Sequence, residues 1–300
     1  MLDLQYLASL VGAHGEALDA KVAAFELRGR AFAQWPRSAL MGVVNLSADS
    51  WYRESVVLNV EAAVRRGRRL AEEGAALVDV GAESTLLNAE RVDAALQNAR
   101  LLPVVRELSE AGVLVSVESY HLEVSRACLE AGAAVVNLTA ARDTEPFYRL
   151  AAEREAGVII CYIQDAPNAR MAGDLKLGGD HTAVLYEYFA RETELAARCG
   201  VSRMWVDPGM GFYYRNLGDS AQRVRYQVET FLNAFRLRRL GWPVCQALPH
   251  AFEFFEEEVR SAEPFFAQLA LLARTDLLRT HEVARVRGVL GAMGAVGVQS

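Results

Sequence analysis

A single (β/α)8 TIM barrel, preceded by a helix and a hairpin, is the α/β fold class that the 300-residue sequence predicts. Three observations carry this reading. A helix–glycine–strand beat recurs along the chain, the strand runs are apolar throughout, and no Pro/Ser/Gly-rich linker divides the sequence. Glycine just past a helix supplies the left-handed residue that ends it. Continuous apolar runs are what parallel strands need when both faces are covered.

The elements follow in chain order. Residues 1–38 read as an N-terminal extension: an amphipathic helix, then FELRGRAFA as a short hairpin that caps the barrel's N-terminal end. The barrel spans 39–297 and opens with the strand LMGVVNL (40–46). The beat then places Gly74 before ALVDV, Gly112 before VLVSV, Gly132 before AVVN and Ala156-Gly157 before VIICYI. It continues with Gly200 before MWVD and Gly241 before PVCQA, and TDLLRT (275–280) completes eight strands. Helices are expected over 57–73, 88–111, 121–131, 145–156, 182–199, 219–239, 251–273 and 282–294. Eight βα units in about 260 residues fit a closed barrel better than an open doubly wound sheet.

Composition excludes several function classes. At 52% apolar and 23% charged the chain has the material for a large core and lacks the signature of disorder. A net charge of −6 argues against nucleic acid as a partner. Acids and a histidine interrupt the opening MLDLQYLASLVGAHGEALDA, so neither a leader nor a membrane span is expected there, and the expected location is cytoplasmic. The four cysteines lie at least 33 residues apart with no Cys/His cluster, so no zinc site and no disulfide framework is expected. No glycine-rich dinucleotide loop follows the first strand.

Catalytic groups of such barrels stand at the C-terminal ends of the strands. Those ends carry Asn45, Asp79, Glu83 with Thr85, Glu118, Asn137, Gln164, Asp207, Gln246 with His250, and Arg279 with His281. The motifs around them are MGVVNLSADSWY (41–52), VDVGAEST (78–85), VSVESY (115–120), VVN (135–137), DPGMGF (207–212) and RTHEV (279–283). In this order and spacing the chain resembles the dihydropteroate synthase family of pterin-binding barrels. The resemblance implies a reduced pterin deep in the barrel, with Glu118, Asn137 and Asp207 around its aminopyrimidine ring and Arg279 stacked on it or closed over it. The group chemistry agrees. An aminopyrimidinone presents a donor–donor edge that a carboxylate accepts in bidentate fashion, and a guanidinium suits the face of a π-system. Plainer alternatives are a helix N-cap for Asp207, a turn residue for Asn137, and an ion pair of Arg279 with Glu282 or Asp276.

Departures from the family pattern are equally specific. Its second loop continues Thr-Arg-Pro-Gly, whereas Thr85 precedes Leu86-Leu87-Asn88. Its seventh strand ends Ser-Arg-Lys, whereas this chain reads Ala247-Leu248-Pro249-His250. The chain's two lysines, Lys21 and Lys176, stand elsewhere. Charge-assisted bonds of about 1.5–3 kcal/mol each would be lost around a departing diphosphate. The expected function is therefore a diverged pterin- or folate-dependent transferase of one-carbon groups, using a reduced pterin or tetrahydrofolate and an unidentified acceptor. His250, with Glu118, is its expected catalytic residue and protonates the pterin N5. One alternative is a genuine dihydropteroate synthase, which joins 6-hydroxymethyl-dihydropterin diphosphate to p-aminobenzoate. Another is a non-catalytic scaffold or partner subunit.

Lesser expectations complete the reading. Glu83 and Thr85 close the mouth or cap the next helix; Asp79, Gln164, Gln246 and His281 are further candidates at the mouth. The plain alternatives for His250 and His281 are a helix-start or surface imidazole and a solvated loop residue. Asn45 would touch magnesium in a phosphate-bearing complex, but with the phosphate groups lost no stable metal site is expected. A homodimer is expected through the late helices, where Phe252, Phe255 and Val259 share a face ahead of FFAQLALLA.

Overall fold

The computed structural model describes residues 2–33, 35–47, 56, 59–84, 91–139, 143–164, 174–175, 178–212, 214 and 216–296. FELRGRAFA forms an antiparallel hairpin, β1 (Phe25–Leu27) and β2 (Arg30–Phe32), with Phe25 opposite Phe32. The apolar runs become eight strands: β3 (Ala39–Asn45), β4 (Leu77–Gly81), β5 (Val115–Glu118), β6 (Val135–Thr139), β7 (Gly157–Cys161), β8 (Met204–Asp207), β9 (Cys245–Ala247) and β10 (Leu277–Thr280). They pair in parallel in the order β8-β7-β6-β5-β4-β3-β10-β9. A parallel bridge between Val206 and Val244 joins the two ends of that order and closes the barrel. Val44, Val78, Val80, Val117, Val136 and Val158 have no exposed surface, as strands covered on both faces require.

The helices of the outer layer are α2 (Val60–Glu72), α3 (Ala94–Glu110), α4 (Leu122–Glu130), α5 (Glu145–Glu153), α6 (His181–Arg198), α7 (Ser220–Asn233), α9 (Ala262–Leu272) and α10 (Val283–Ala295). Asn59, Asp93, Asp180 and Asp219 start four of them by accepting a backbone N–H of the first turn. Two helices expected as single runs are divided. The run over 219–239 tightens to a 3-10 helix from Ala234 to Leu240, which brings Arg238 onto the buried carboxylate of Asp276 at 2.6 Å. The run over 251–273 is α8 (Phe252–Phe255), a 3-10 segment Glu256–Ser261, then α9. Glu256 sits at φ +46°, which no α-helix continues through.

That division changes the late helices. Phe266, Ala267, Leu269 and Ala270 of α9 are buried within the chain, and Phe266 packs 5.2 Å from Phe231 of α7. Most of the FFAQLALLA side chains expected to meet a second subunit are thus used in the chain's own helical layer. No helix among the described residues is long and apolar enough to cross a membrane.

The two ends of the barrel differ in chemistry. At the N-terminal end Leu27 and Phe32 of the hairpin join Met41, Leu77, Ile159, Trp205 and Leu277 in one apolar cluster. Trp205 is fully buried, with Phe25 and Phe32 edge-on at 4.7 and 5.3 Å. Backbone carbonyls at the strand starts are taken by hairpin arginines: Arg28 donates to Gly132 and Ala133, and Arg30 donates to Ala76. The helix before it, α1 (Leu4–His14), has no fully buried residue. Polar chemistry is left to the opposite end.

Truncating Trp205→Ala is expected to lower the unfolding free energy by about 3–5 kcal/mol in urea titration. Trp205→Phe keeps a ring in the cluster and removes an indole N–H that has no partner among the described residues, so its cost is expected to be much smaller.

Candidate active site

Alternation along each strand decides which strand-end residue faces inward. Glu118 and Asn137 are directly paired across β5 and β6, and Asp207 is paired with Cys161 across β7 and β8. All four line one cavity of about 110 Å3 at the C-terminal end, together with Asn45, Glu83, Thr139, Met210, Phe212, Gln227, His250, Arg279 and His281. The carboxylate–amide–carboxylate set predicted at the mouth is therefore gathered in one place.

Beneath it lies Asp79, which has no exposed surface and does not line the cavity. Its Oδ1 accepts from the Ser116 hydroxyl at 2.6 Å, and its Oδ2 accepts from Asn137 Nδ2 at 3.1 Å and Arg279 Nε at 2.8 Å. Arg279 Nη2 donates to Glu118 Oε2 at 3.2 Å, and the Thr139 hydroxyl donates to the other oxygen, Oε1, at 3.3 Å. Arg279 thus pairs with Asp79 and Glu118. The alternative partners Glu282 and Asp276 are engaged elsewhere, Glu282 by Arg260 and Asp276 by Arg238. Burial opposes the guanidinium charge, and the facing Asp79 and Glu118 more than restore it, so Arg279 is held firmly protonated.

The two inward carboxyls behave differently from surface acids. Burial pushes Glu118 up to about 7, with Asp79 adding to the rise against the opposing pull of Arg279. Burial likewise raises Asp207 to about 6, partly offset by the Gly209 N–H that donates to its Oδ1 at 2.8 Å. Gly209 is at φ +77°, and a Cβ there would stand 2.0 Å from the Tyr162 carbonyl oxygen. Only glycine allows the turn that presents this N–H.

His250 and His281 are neither surface nor solvated imidazoles; both line the cavity and their side chains are about nine-tenths buried. Each points at Glu263 Oε1, His250 Nε2 at 3.1 Å and His281 Nδ1 at 2.7 Å. Glu263, on α9, was not among the sequence-derived candidates. Its Oε2 accepts from the Thr280 hydroxyl and from the backbone N–H groups of His281 at 2.9 Å and Glu282 at 3.1 Å. Burial alone would raise this carboxyl, but the imidazoles and donors around it carry it well below the ordinary carboxylate range. A solitary acid within the apolar run Ala262–Leu272 was the available signal.

Three candidates at the strand ends are corrected. Gln246 lies between Cys245 and the cavity-lining Ala247, so it faces the helical layer, where Nε2 donates to Thr275 Oγ1 at 2.7 Å. Gln164 is buried off the cavity, its backbone N–H donating to the Tyr214 hydroxyl at 3.1 Å. Asp79 supports the site from below rather than facing a ligand. Glu83 lies on the cavity wall and accepts from Gln97 Nε2 at 2.7 Å. Thr85 lies outside the described residues.

The family of pterin binding enzymes matches residues 41–248. The chain belongs to the pterin binding enzyme family. A probable bifunctional folylpolyglutamate synthase/dihydropteroate synthase of Halobacterium salinarum is 33% identical over 257 residues, which cover 82% of this chain but only 30% of that longer protein. The dihydropteroate synthase of Streptococcus pyogenes serotype M1 is 29% identical over 228 residues, 75% of this chain and 77% of that one. The Xanthomonas albilineans dihydropteroate synthase solved with 4-aminobenzoic acid superposes with a TM-score of 0.75 at 28% identity, covering 92% of this chain and 98% of that chain. The same enzyme solved with 7,8-dihydropteroate gives 0.72 at 27% identity, covering 91% and 98%.

These relatives overturn the expected one-carbon transferase. They are dihydropteroate synthases, and the similarity runs through the barrel that carries the cavity. The roles given to tetrahydrofolate, and to His250 as a proton donor to N5, fall with that reading.

A pH prediction follows from Glu118 and Asp207. Both bind protons more tightly folded than unfolded, so stability is expected to fall as pH rises from their ordinary values toward 6 to 7. The loss for Glu118 is on the order of 3 kcal/mol. Urea unfolding of the unliganded protein between pH 4.5 and 7.5 should show this decline, and Glu118→Gln should flatten it.

Proposed function

We propose that the chain is a dihydropteroate synthase. It joins the exocyclic methylene of 6-hydroxymethyl-7,8-dihydropterin diphosphate to the amine of p-aminobenzoate. The new C–N bond forms as the C–O bond to diphosphate breaks; the leaving oxygen keeps the electron pair and the amine loses a proton to solvent. The observation that carries this reading is the inward set Glu118, Asn137 and Asp207 on one cavity wall. Two carboxylates accept the N–H donors of an aminopyrimidinone edge, and the Asn137 amide serves its mixed remainder.

Arg279 has two uses in this scheme. Asp79 holds Nε from below, so the guanidinium stays in the cavity whether or not Glu118 is occupied by ligand. When the pterin takes Glu118 as acceptor, Nη2 is released toward the ligand and offers its charge to the developing diphosphate. It is the only arginine on the cavity wall among the described residues. His250 and His281 stand beside it as further polar groups.

The test is a direct assay. Purified protein with both substrates should form dihydropteroate and diphosphate, followed by chromatography. Tight binding of the pterin diphosphate with no product would overturn the synthase reading. Asp207→Asn and Glu118→Gln should each weaken pterin binding by more than about tenfold in calorimetric titration, since each replaces a charged acceptor. Unchanged affinity in both would place the pterin elsewhere.

A further inference from the structure

We propose that His250, Glu263 and His281 form a binding site for one divalent transition-metal ion of the zinc type, with an open coordination position facing the cavity. The three potential ligand atoms lie within 4.8 Å of one another. Two imidazoles and one carboxylate with a vacant fourth position are the donor set of reactive rather than structural zinc sites. Both histidines line the cavity while Glu263 stands behind them, so the side without a protein ligand is the cavity side.

Preorganisation argues for a built site over a chance meeting of side chains. The two oxygens of Glu263 are held differently. Oε2 is fixed by the Thr280 hydroxyl and the N–H groups of His281 and Glu282, and Oε1 faces both rings while also taking a longer share of the His281 N–H at 3.2 Å. The His250 ring is stacked on Phe252, with centroids 5.2 Å apart and planes 25° from parallel. Outer contacts of this kind orient metal ligands and raise their affinity. Ligand atoms about 2.0–2.2 Å from a tetrahedral ion stand roughly 3.3 Å from one another. The two N···O distances, 3.1 and 2.7 Å, must spread by tenths of an ångström, and the two imidazole nitrogens, within 4.8 Å of each other, must close toward that spacing by rotation of the rings. Neutral imidazoles ligate through the nitrogens that face Oε1, with the ring proton on the opposite nitrogen. One carboxylate and two neutral rings leave the bound ion a net positive charge, so the fourth position favours water or an anionic oxygen of a ligand in the cavity.

The experiment uses the full-length protein without a histidine tag, stripped with chelator and titrated with Zn2+ by calorimetry. One ion per chain is expected, with submicromolar affinity. The Co2+-loaded protein should show the intense visible absorption of a four-coordinate ion. His250→Ala and His281→Ala are each expected to weaken Zn2+ binding by more than about 100-fold while circular dichroism shows the fold retained. Should either alanine variant not fold, His250→Gln and His281→Gln replace them. Absence of saturable binding below millimolar Zn2+ would overturn the assignment, as would unchanged affinity in either histidine variant. The readout is metal binding alone, so it is independent of the synthase assay.

Discussion

A carboxylate with no exposed surface, Asp79 on β4, sets the terms for the polar end of this barrel. A buried charge is tolerated only when paired and hydrogen-bonded. Asp79 meets that condition by drawing a hydroxyl from β5, an amide from β6 and a guanidinium from β10. Four strands that are not all neighbours are thereby tied at one level of the barrel. Asn137 and Arg279 reach the cavity already oriented from beneath, and Arg279 carries the constraint on to Glu118.

The opposite end works by exclusion. Hairpin residues Leu27, Phe25 and Phe32 seal the barrel floor around Trp205, and hairpin arginines satisfy carbonyls that would otherwise face water. A packed floor and an ionic layer above it lie beneath the cavity. Burial in this low effective dielectric is what pushes the Glu118 and Asp207 carboxyls above the ordinary carboxylate range.

How legible this was depended on whether a feature is local. The strands were readable because a glycine-ended helix followed by an apolar run is a short-range pattern, and their C-terminal ends pointed to Glu118, Asn137, Asp207 and Arg279. Gln246 was misjudged because reading strand ends ignored the two-residue alternation that turns it outward. The break at Glu256 was invisible because three glutamates in a row are good helix formers, and only the tertiary arrangement puts a positive φ there. Glu263 escaped notice because its partners lie at the end of β10, just after it and on the loop after β9, so no spacing motif connects them.

Function was misjudged for a related reason. Residues that the family has and this chain lacks, the loop-two arginine and the Ser-Arg-Lys of strand seven, outweighed the motifs that it keeps. In a closed barrel eight strand ends converge on one mouth, so charge at a reacting group can arrive from any of them. A cation a few ångströms from a leaving group acts through distance and dielectric, not through the strand that bears it. Arg279 from β10, and His250 and His281 from the loops after β9 and β10, stand on the wall of the same cavity. The proposed pterin contacts Glu118, Asn137 and Asp207 are harder to replace, because recognising a ring edge requires particular donors and acceptors in one plane. Retention of that set therefore says more about the reaction than the loss of diffuse positive charge.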